Sequence, residues 1–86
     1  MPEISRFYGI VIHLYYGDHE PAHFHVSYSE YSAKVDIETL AVLEGDLPAR
    51  ALGLVIEWAT LRKVELREAF QKASALEQPL KIAPLS

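Results

Sequence analysis

The chain of 86 residues contains no cysteine, so disulfide bonds and thiolate metal sites are excluded. An excess of basic residues is also missing, because the net charge is −4, which disfavours a uniformly basic nucleic-acid-binding protein but leaves a local contact with RNA open. No apolar run approaches the roughly 20 residues of a membrane-spanning helix. The N-terminus lacks the basic-then-apolar layout of a signal peptide. These absences predict a cytoplasmic protein without a membrane partner.

The hydrophobic fraction of the sequence is 50%, which is too high for a disordered chain. The length predicts one domain over residues 1–86. A domain of this size buries a small core, so a partner subunit would add to its stability.

The first half of the chain alternates apolar and polar residues with the period of two that is typical of strands. This pattern predicts strands at 10–16, 23–28, 31–37 and 40–44, and either an earlier strand or an extended arm at 4–8. The expected fold class is α+β, with an antiparallel sheet of three to five strands built from β-hairpins.

Only residues 29–30 separate the strands predicted at 23–28 and 31–37, which indicates a tight hairpin. Counted outward from that turn, His23 faces Asp36 and His25 faces Lys34, close enough to interact. On the other face of the sheet, the apolar pairs are Phe24 with Val35 and Val26 with Ala33. The polar face is expected to carry six residues: His13, Tyr15, His23, His25, Lys34 and Asp36.

The second half predicts one long helix packed on the apolar face of the sheet. Gly45 is expected to end the strands, Asp46 to cap the helix and Pro48 to lie in its first turn. The helix would then run to about residue 75. Its apolar stripe has the spacing of a helix face and consists of Ala51, Leu54, Val55, Trp58, Leu61, Leu66, Ala69, Phe70 and Ala73.

A straight helix of this length would be roughly 42 Å long, whereas a seven-residue strand covers only about 23 Å. The second half of the helix would therefore overhang the sheet with its apolar stripe uncovered. An uncovered stripe predicts an interface, so we expect a homodimer or a complex with another protein. Residues 79–85 could return as a short edge strand, because their two prolines fit a sheet edge better than its centre.

Three of the four histidines lie close together around a turn and support two hypotheses of chemistry. In the first, His19, His23 and His25, with Asp18 or His13 as a further ligand, bind a divalent transition metal such as zinc or nickel. The spacing matches no established zinc signature. The alternative is that these side chains are polar residues of a solvated strand face and turn.

The second hypothesis is acid–base catalysis without a cofactor. His23 and His25 would exchange protons with an RNA phosphodiester, and Lys34 would place a cation near the developing charge. Asp36, opposite His23, would set the tautomer of that imidazole. The sequence thus offers a ribonuclease site on the polar face of the sheet.

Four blocks of the chain resemble the bacterial domain-of-unknown-function family 4160: residues 1–12, 18–26, 36–40 and 57–59. The resemblance covers nearly the whole chain and implies a small bacterial protein, often encoded in a two-gene unit beside another small domain. It brings no assigned catalytic residues. Lys34 lies outside the pattern of the family, and Gly53 stands where a larger, often basic residue is expected.

The leading functional hypothesis is therefore an interaction protein of a toxin–antitoxin-like two-gene module, whose partner is the product of the neighbouring gene. The first alternative is a ribonuclease that uses the histidines of the sheet, and the second is a histidine-based metal-binding regulator.

Overall fold

A computed structural model describes residues 2–86. Five strands come first: β1 (Glu3–Phe7), β2 (Ile10–His13), β3 (His23–Tyr28), β4 (Tyr31–Asp36) and β5 (Val42–Asp46). Two helices follow, α1 (Ala49–Leu61) and α2 (Lys63–Ser74). The strands form one antiparallel sheet in the order of the chain. The α+β class with an antiparallel sheet is confirmed, and the helical half differs from the prediction.

The β3–β4 hairpin has the register that was counted from the sequence. Its Cα partners include His23 with Asp36, His25 with Lys34 and Phe24 with Val35. A slip by one residue would have turned the apolar side chains to the wrong face of the sheet. By the alternation of the strand, both histidines are on the face opposite to that of Phe24 and Val26, which is called the outer face below, although the ring of His23 at the end of the strand also reaches Phe70 of α2.

The core lies between the other face of the sheet and the two helices. Ile12, Phe24 and Val35 of the sheet are fully buried, as are Trp58 of α1 and Leu66 of α2. The period of two in the strands and the helical spacing in the second half bring these residues together. Within residues 2–86, no helix is long and apolar enough to cross a membrane.

The prediction of one long helix is wrong, because the helix is interrupted at Arg62. This residue has φ −118° and ψ 22°, and its N–H bonds to the carbonyl oxygens of both Trp58 and Ala59. The longest extent of the Cα trace is 32 Å, shorter than the straight helix that was expected. The bend keeps the apolar residues of α2 on the same core; Leu66, Ala69, Phe70 and Ala73 are all buried there.

The overhang that motivated an interface is therefore absent from α2. The bend also turns one residue of the predicted stripe outward, since Leu61 is 67% exposed. A homodimer or a complex with another protein remains a prediction, but it no longer follows from an uncovered stripe on the second helix.

The start of the helical half also differs from the prediction. Gly45 and Asp46 belong to β5, and α1 begins at Ala49 after Pro48. Gly45 has φ +83°, and a Cβ atom on it would lie 2.2 Å from the carbonyl oxygen of Ser32. Glycine is thus needed inside the strand for close contact with β4.

The C-terminal residues 79–85 have no regular secondary structure, so the predicted edge strand is wrong. They nevertheless lie beside β1, because the N–H of Ile82 donates to the carbonyl oxygen of Ile4 over 2.7 Å. The indole N–H of Trp58 donates to the carbonyl oxygen of Ala83 over 2.8 Å. The tail therefore closes the core over Trp58.

Candidate functional site

An imidazole–carboxylate centre, defined as Asp18, His23 and His25, forms where the β2–β3 loop enters β3. The Oδ2 atom of Asp18 lies 2.7 Å from Nε2 of His23 and 3.3 Å from Nε2 of His25. One ligand atom from each residue lies within 4.8 Å of the other two. Two imidazoles thus converge on one carboxylate oxygen.

The end of α2 holds the loop that carries Asp18. The N–H of Gly17 donates to the carbonyl oxygen of Ala73 over 2.9 Å. The hydroxyl of Ser74 donates to the carbonyl oxygen of Asp18, also over 2.9 Å. Gly17 has φ +74°, a conformation that glycine adopts without steric cost. The position of the Asp18 carboxylate therefore depends on a contact with Ser74, which is 56 residues away in the sequence.

His23 is the buried member of the centre, with an exposed fraction of 2%. Its Nδ1 atom lies 2.6 Å from the carbonyl oxygen of Pro21, and its ring packs against Phe70 with the centroids 5.5 Å apart. Because a carbonyl oxygen only accepts hydrogen bonds, Nδ1 carries a proton. The other ring nitrogen, Nε2, is therefore aimed at Asp18.

His25 is the accessible member and joins the centre to a groove on the outer face of the sheet. Its side chain is 16% exposed. Tyr15 stacks on the His25 ring at 4.0 Å and His13 at 5.6 Å. The groove has a volume of about 450 Å³. Its polar lining consists of His13, Tyr15, His25, Ser27, Ser32, Lys34 and Glu44.

The surroundings of the centre favour a neutral imidazole at His25 and at the neighbouring His13, and a charged carboxylate at Asp18. Burial lowers the pKa of both His13 and His25, and the His25 charge lowers that of His13 further. At His25, burial outweighs the hydrogen bond with Asp18, which acts in the opposite direction. Burial alone would raise the pKa of Asp18, but its hydrogen bonds and charge interactions with His25 and His23 bring it below its ordinary value.

These shifts predict a loss of stability on acidification. The unfolded chain takes up protons on histidine near pH 6.5, whereas folded His13 and His25 take them up only at lower pH. Between these values the unfolded state binds more protons, so the free energy of unfolding falls as the pH falls. We expect the free energy of unfolding, measured with urea in EDTA-containing buffer, to be constant above about pH 7 and to decline below about pH 6.5.

The matched variants separate this effect from general acid sensitivity. The double variant His13→Gln, His25→Gln should lose the decline between about pH 6.5 and 5, while His19→Gln should keep it, since His19 is exposed. Asp18 acts in the same direction, but only nearer its own, lower pKa. A stability that rises on acidification of the parent protein would contradict the prediction.

The remaining predicted site residues lie at different places. His19 is exposed and lies outside the centre. Lys34 lies in the groove, with Nζ 4.0 Å from a carboxylate oxygen of Glu44. Oδ1 of Asp36 accepts hydrogen bonds from the N–H groups of Glu38 and Thr39, over 2.8 and 2.9 Å.

Asp36 therefore caps the turn after β4, a common use of aspartate. Although Asp36 and His23 are partners in the register, the carboxylate that His23 contacts in the described chain is that of Asp18. From the sequence, Asp18 was expected only as one of two further metal ligands. Its contact with both imidazoles could not be read from spacing, because it depends on how α2 holds the loop.

Comparison with known proteins identifies the family of the chain. The family model described as a domain of unknown function, DUF4160, matches residues 9–71. The match runs from the turn before β2 into α2 and includes the whole imidazole–carboxylate centre. Neither a curated protein nor a solved structure matches the chain. Because the family model covers well over half of the sequence, the chain belongs to the DUF4160 family.

Proposed function

We propose that this protein is a cytoplasmic component of a toxin–antitoxin-like two-gene module and acts through its imidazole–carboxylate centre. The observation that carries the proposal is the convergence of His23 and His25 on one oxygen of Asp18, next to an open groove. Membership of the DUF4160 family supports the genetic setting, since the resemblance implies two-gene units. The expected partner is the product of the neighbouring gene.

The composition of the centre favours a functional role over a purely structural one. Two histidines of this region are buried, His23 at 2% and His13 at 8% exposed. His23 remains polar in this buried position because its two ring nitrogens have polar partners at Pro21 and Asp18. Departures from an apolar core are concentrated at functional sites.

The groove supports cleavage of an RNA phosphodiester as the chemistry of the module. His25 lies in the groove as a neutral imidazole and could accept the proton of a 2′-hydroxyl group. Lys34 lies in the same groove and could balance charge on the phosphate. His23 is too buried to touch a substrate and would instead position Asp18, so His13 is the better candidate for the second imidazole.

A growth assay in a bacterial host tests the proposal. The chain is expressed alone, the neighbouring gene alone, and the two together, and we expect one of them to slow growth and the pair to restore it. Asp18→Asn and His25→Gln should abolish the contribution of this chain, whether that is toxicity or relief of toxicity. His19→Gln is the matched control and should behave as the parent protein, because His19 lies outside the centre.

Melting temperatures of the purified variants show whether a lost phenotype is simply lost folding. Where the chain is toxic, total RNA from the arrested cells should contain new cleavage products that are missing with His25→Gln. The proposal fails if no combination of the two genes changes growth. It fails equally if the folded Asp18→Asn and His25→Gln variants both act as the parent does.

A further inference from the structure

We infer that the imidazole–carboxylate centre binds a divalent transition-metal ion through Oδ2 of Asp18 and the Nε2 atoms of His23 and His25. The inference rests on the proposed function and changes one role in it: with Nε2 on an ion and a proton on Nδ1, the imidazole of His25 has no free lone pair, so His25 would hold the ion instead of accepting a proton. The inference also replaces His19 of the sequence-based ligand set with Asp18, because His19 does not reach the centre.

The distances suit a shared ion. Zinc and related ions lie about 2.0–2.2 Å from nitrogen and oxygen ligands, so neighbouring ligand atoms are roughly 2.9–3.5 Å apart. The contacts of the Asp18 oxygen with the two imidazoles are 2.7 and 3.3 Å long, and one ligand atom from each of the three residues lies within 4.8 Å of the others. The two contacts of Asp18 are thus close to the spacing of shared ligands, and the imidazole nitrogens would adjust around the ion.

The hydrogen bonding of His23 supplies an independent argument. Its Nδ1–H donates to the carbonyl oxygen of Pro21, so in the neutral ring Nε2 has only a lone pair to direct at Asp18. A lone pair facing a carboxylate oxygen at 2.7 Å is repulsive, so this contact requires a positive charge at Nε2, which is either a proton or a metal ion. Metal-ligating histidines commonly show this arrangement, with the second ring nitrogen held by a backbone carbonyl.

The burial of the three residues fits an ion that is bound at the protein surface, with one buried ligand and two partly exposed ones. His23 is buried, whereas the side chains of Asp18 and His25 are 28% and 16% exposed. Three protein ligands leave at least one coordination position for water or a substrate, which is typical of catalytic rather than structural sites. The exposed edge of His25 lies in the groove of the outer face, where a substrate could approach.

The donor set favours zinc, nickel, cobalt or iron over magnesium or calcium. Imidazole nitrogen suits the transition metals, whereas magnesium and calcium require mostly oxygen ligands. Two of the three donors here are imidazole nitrogens. Magnesium therefore serves as the negative control for binding.

The test uses the full-length protein without a histidine tag, stripped with EDTA and dialysed. Zn²⁺, Ni²⁺, Co²⁺ and Mg²⁺ are titrated separately by calorimetry, and Co²⁺ binding is also followed by its visible absorption, which reports nitrogen and oxygen ligation. We expect one ion of Zn²⁺, Ni²⁺ or Co²⁺ per chain and no saturable binding of Mg²⁺.

Variants assign the ligands. Asp18→Asn and His25→Gln should each weaken Co²⁺ binding by at least the roughly 10–100-fold that loss of an outer-shell partner causes. His19→Gln should change it less than about threefold, because His19 lies outside the centre. Circular dichroism shows whether each variant is folded. If one of the two ligand variants does not fold, the other still tests the site.

The inference is overturned if none of the three transition metals binds saturably up to millimolar concentration. It is also overturned if both ligand variants bind as the parent does, or if His19→Gln removes binding. Its failure is distinguishable from that of the proposed function. Metal binding by the parent with an unchanged growth phenotype in both Asp18→Asn and His25→Gln would refute the function alone. A lost phenotype in these variants without metal binding by the parent would refute the inference alone.

Discussion

Replacing Trp58 with alanine is expected to remove about 3–5 kcal/mol from the free energy of unfolding. The side chain is fully buried between the sheet and the tail. Its ring centroid lies 5.3 Å from that of Phe7 and 6.0 Å from that of Phe24. The indole N–H also donates to Ala83, so the variant loses the anchor of the C-terminal residues. A small domain has only about 5–15 kcal/mol to lose.

Urea unfolding followed by circular dichroism at 25 °C measures the loss. Leu61→Ala on the same helix is the matched control and should stay within about 0.5 kcal/mol of the parent, because Leu61 is 67% exposed. Trp58→Phe retains an aromatic ring but not the hydrogen bond, whose net contribution is about 1 kcal/mol. A loss below about 1 kcal/mol for Trp58→Ala would mean that Trp58 is not a core residue.

Phe70→Ala should destabilise the protein by a similar amount, about 3–5 kcal/mol. Phe70 is 3% exposed and packs against the ring of His23. Because residues of the same chain bury Phe70, any dependence of the unfolding midpoint on protein concentration should be the same in the parent and in the variant. Val64→Ala, on the same helix, should leave the stability almost unchanged, since Val64 is 63% exposed.

This prediction also decides what covers the second helix. If α2 packed on a second subunit, dilution would lower the midpoint, because association stabilises by mass action. A midpoint that falls with dilution in the parent but not in Phe70→Ala would contradict the fold in which α2 completes the core of its own chain. If the midpoint does not depend on concentration, the predicted complex with the neighbouring gene's product would use a surface other than the apolar face of α2.

Local rules were sufficient for the β3–β4 hairpin. A gap of two residues between runs of period two leaves one register for the β3–β4 hairpin that keeps Phe24 and Val35 buried, and that register is the observed one. The same count places His23 and His25 on the outer face. Turn length and alternation act over a few residues, so the sequence alone determines them.

The break between the helices depended on the whole molecule. The sequence from Leu61 to Val64 contains neither glycine nor proline, the usual causes of a kink. The helix bends at Arg62 because a straight helix would leave the apolar residues around Phe70 in water, whereas the bend buries them. The free energy that favours the bend comes from burial against distant strands, and no local pattern carries that information.

The candidate site shows the same division between local and tertiary causes. The sequence by itself determined that histidines cluster around the turn before β3 and that two of them share one face. Only the tertiary structure decided their partner. Asp18 reaches both imidazoles because hydrogen bonds with Ala73 and Ser74 fix the loop that carries it. Asp36, the partner expected from the register, is instead engaged by the turn that follows it. Strand pairing fixes which Cα atoms are opposite each other, whereas the contacts of a carboxylate depend on every donor that the folded chain brings within reach.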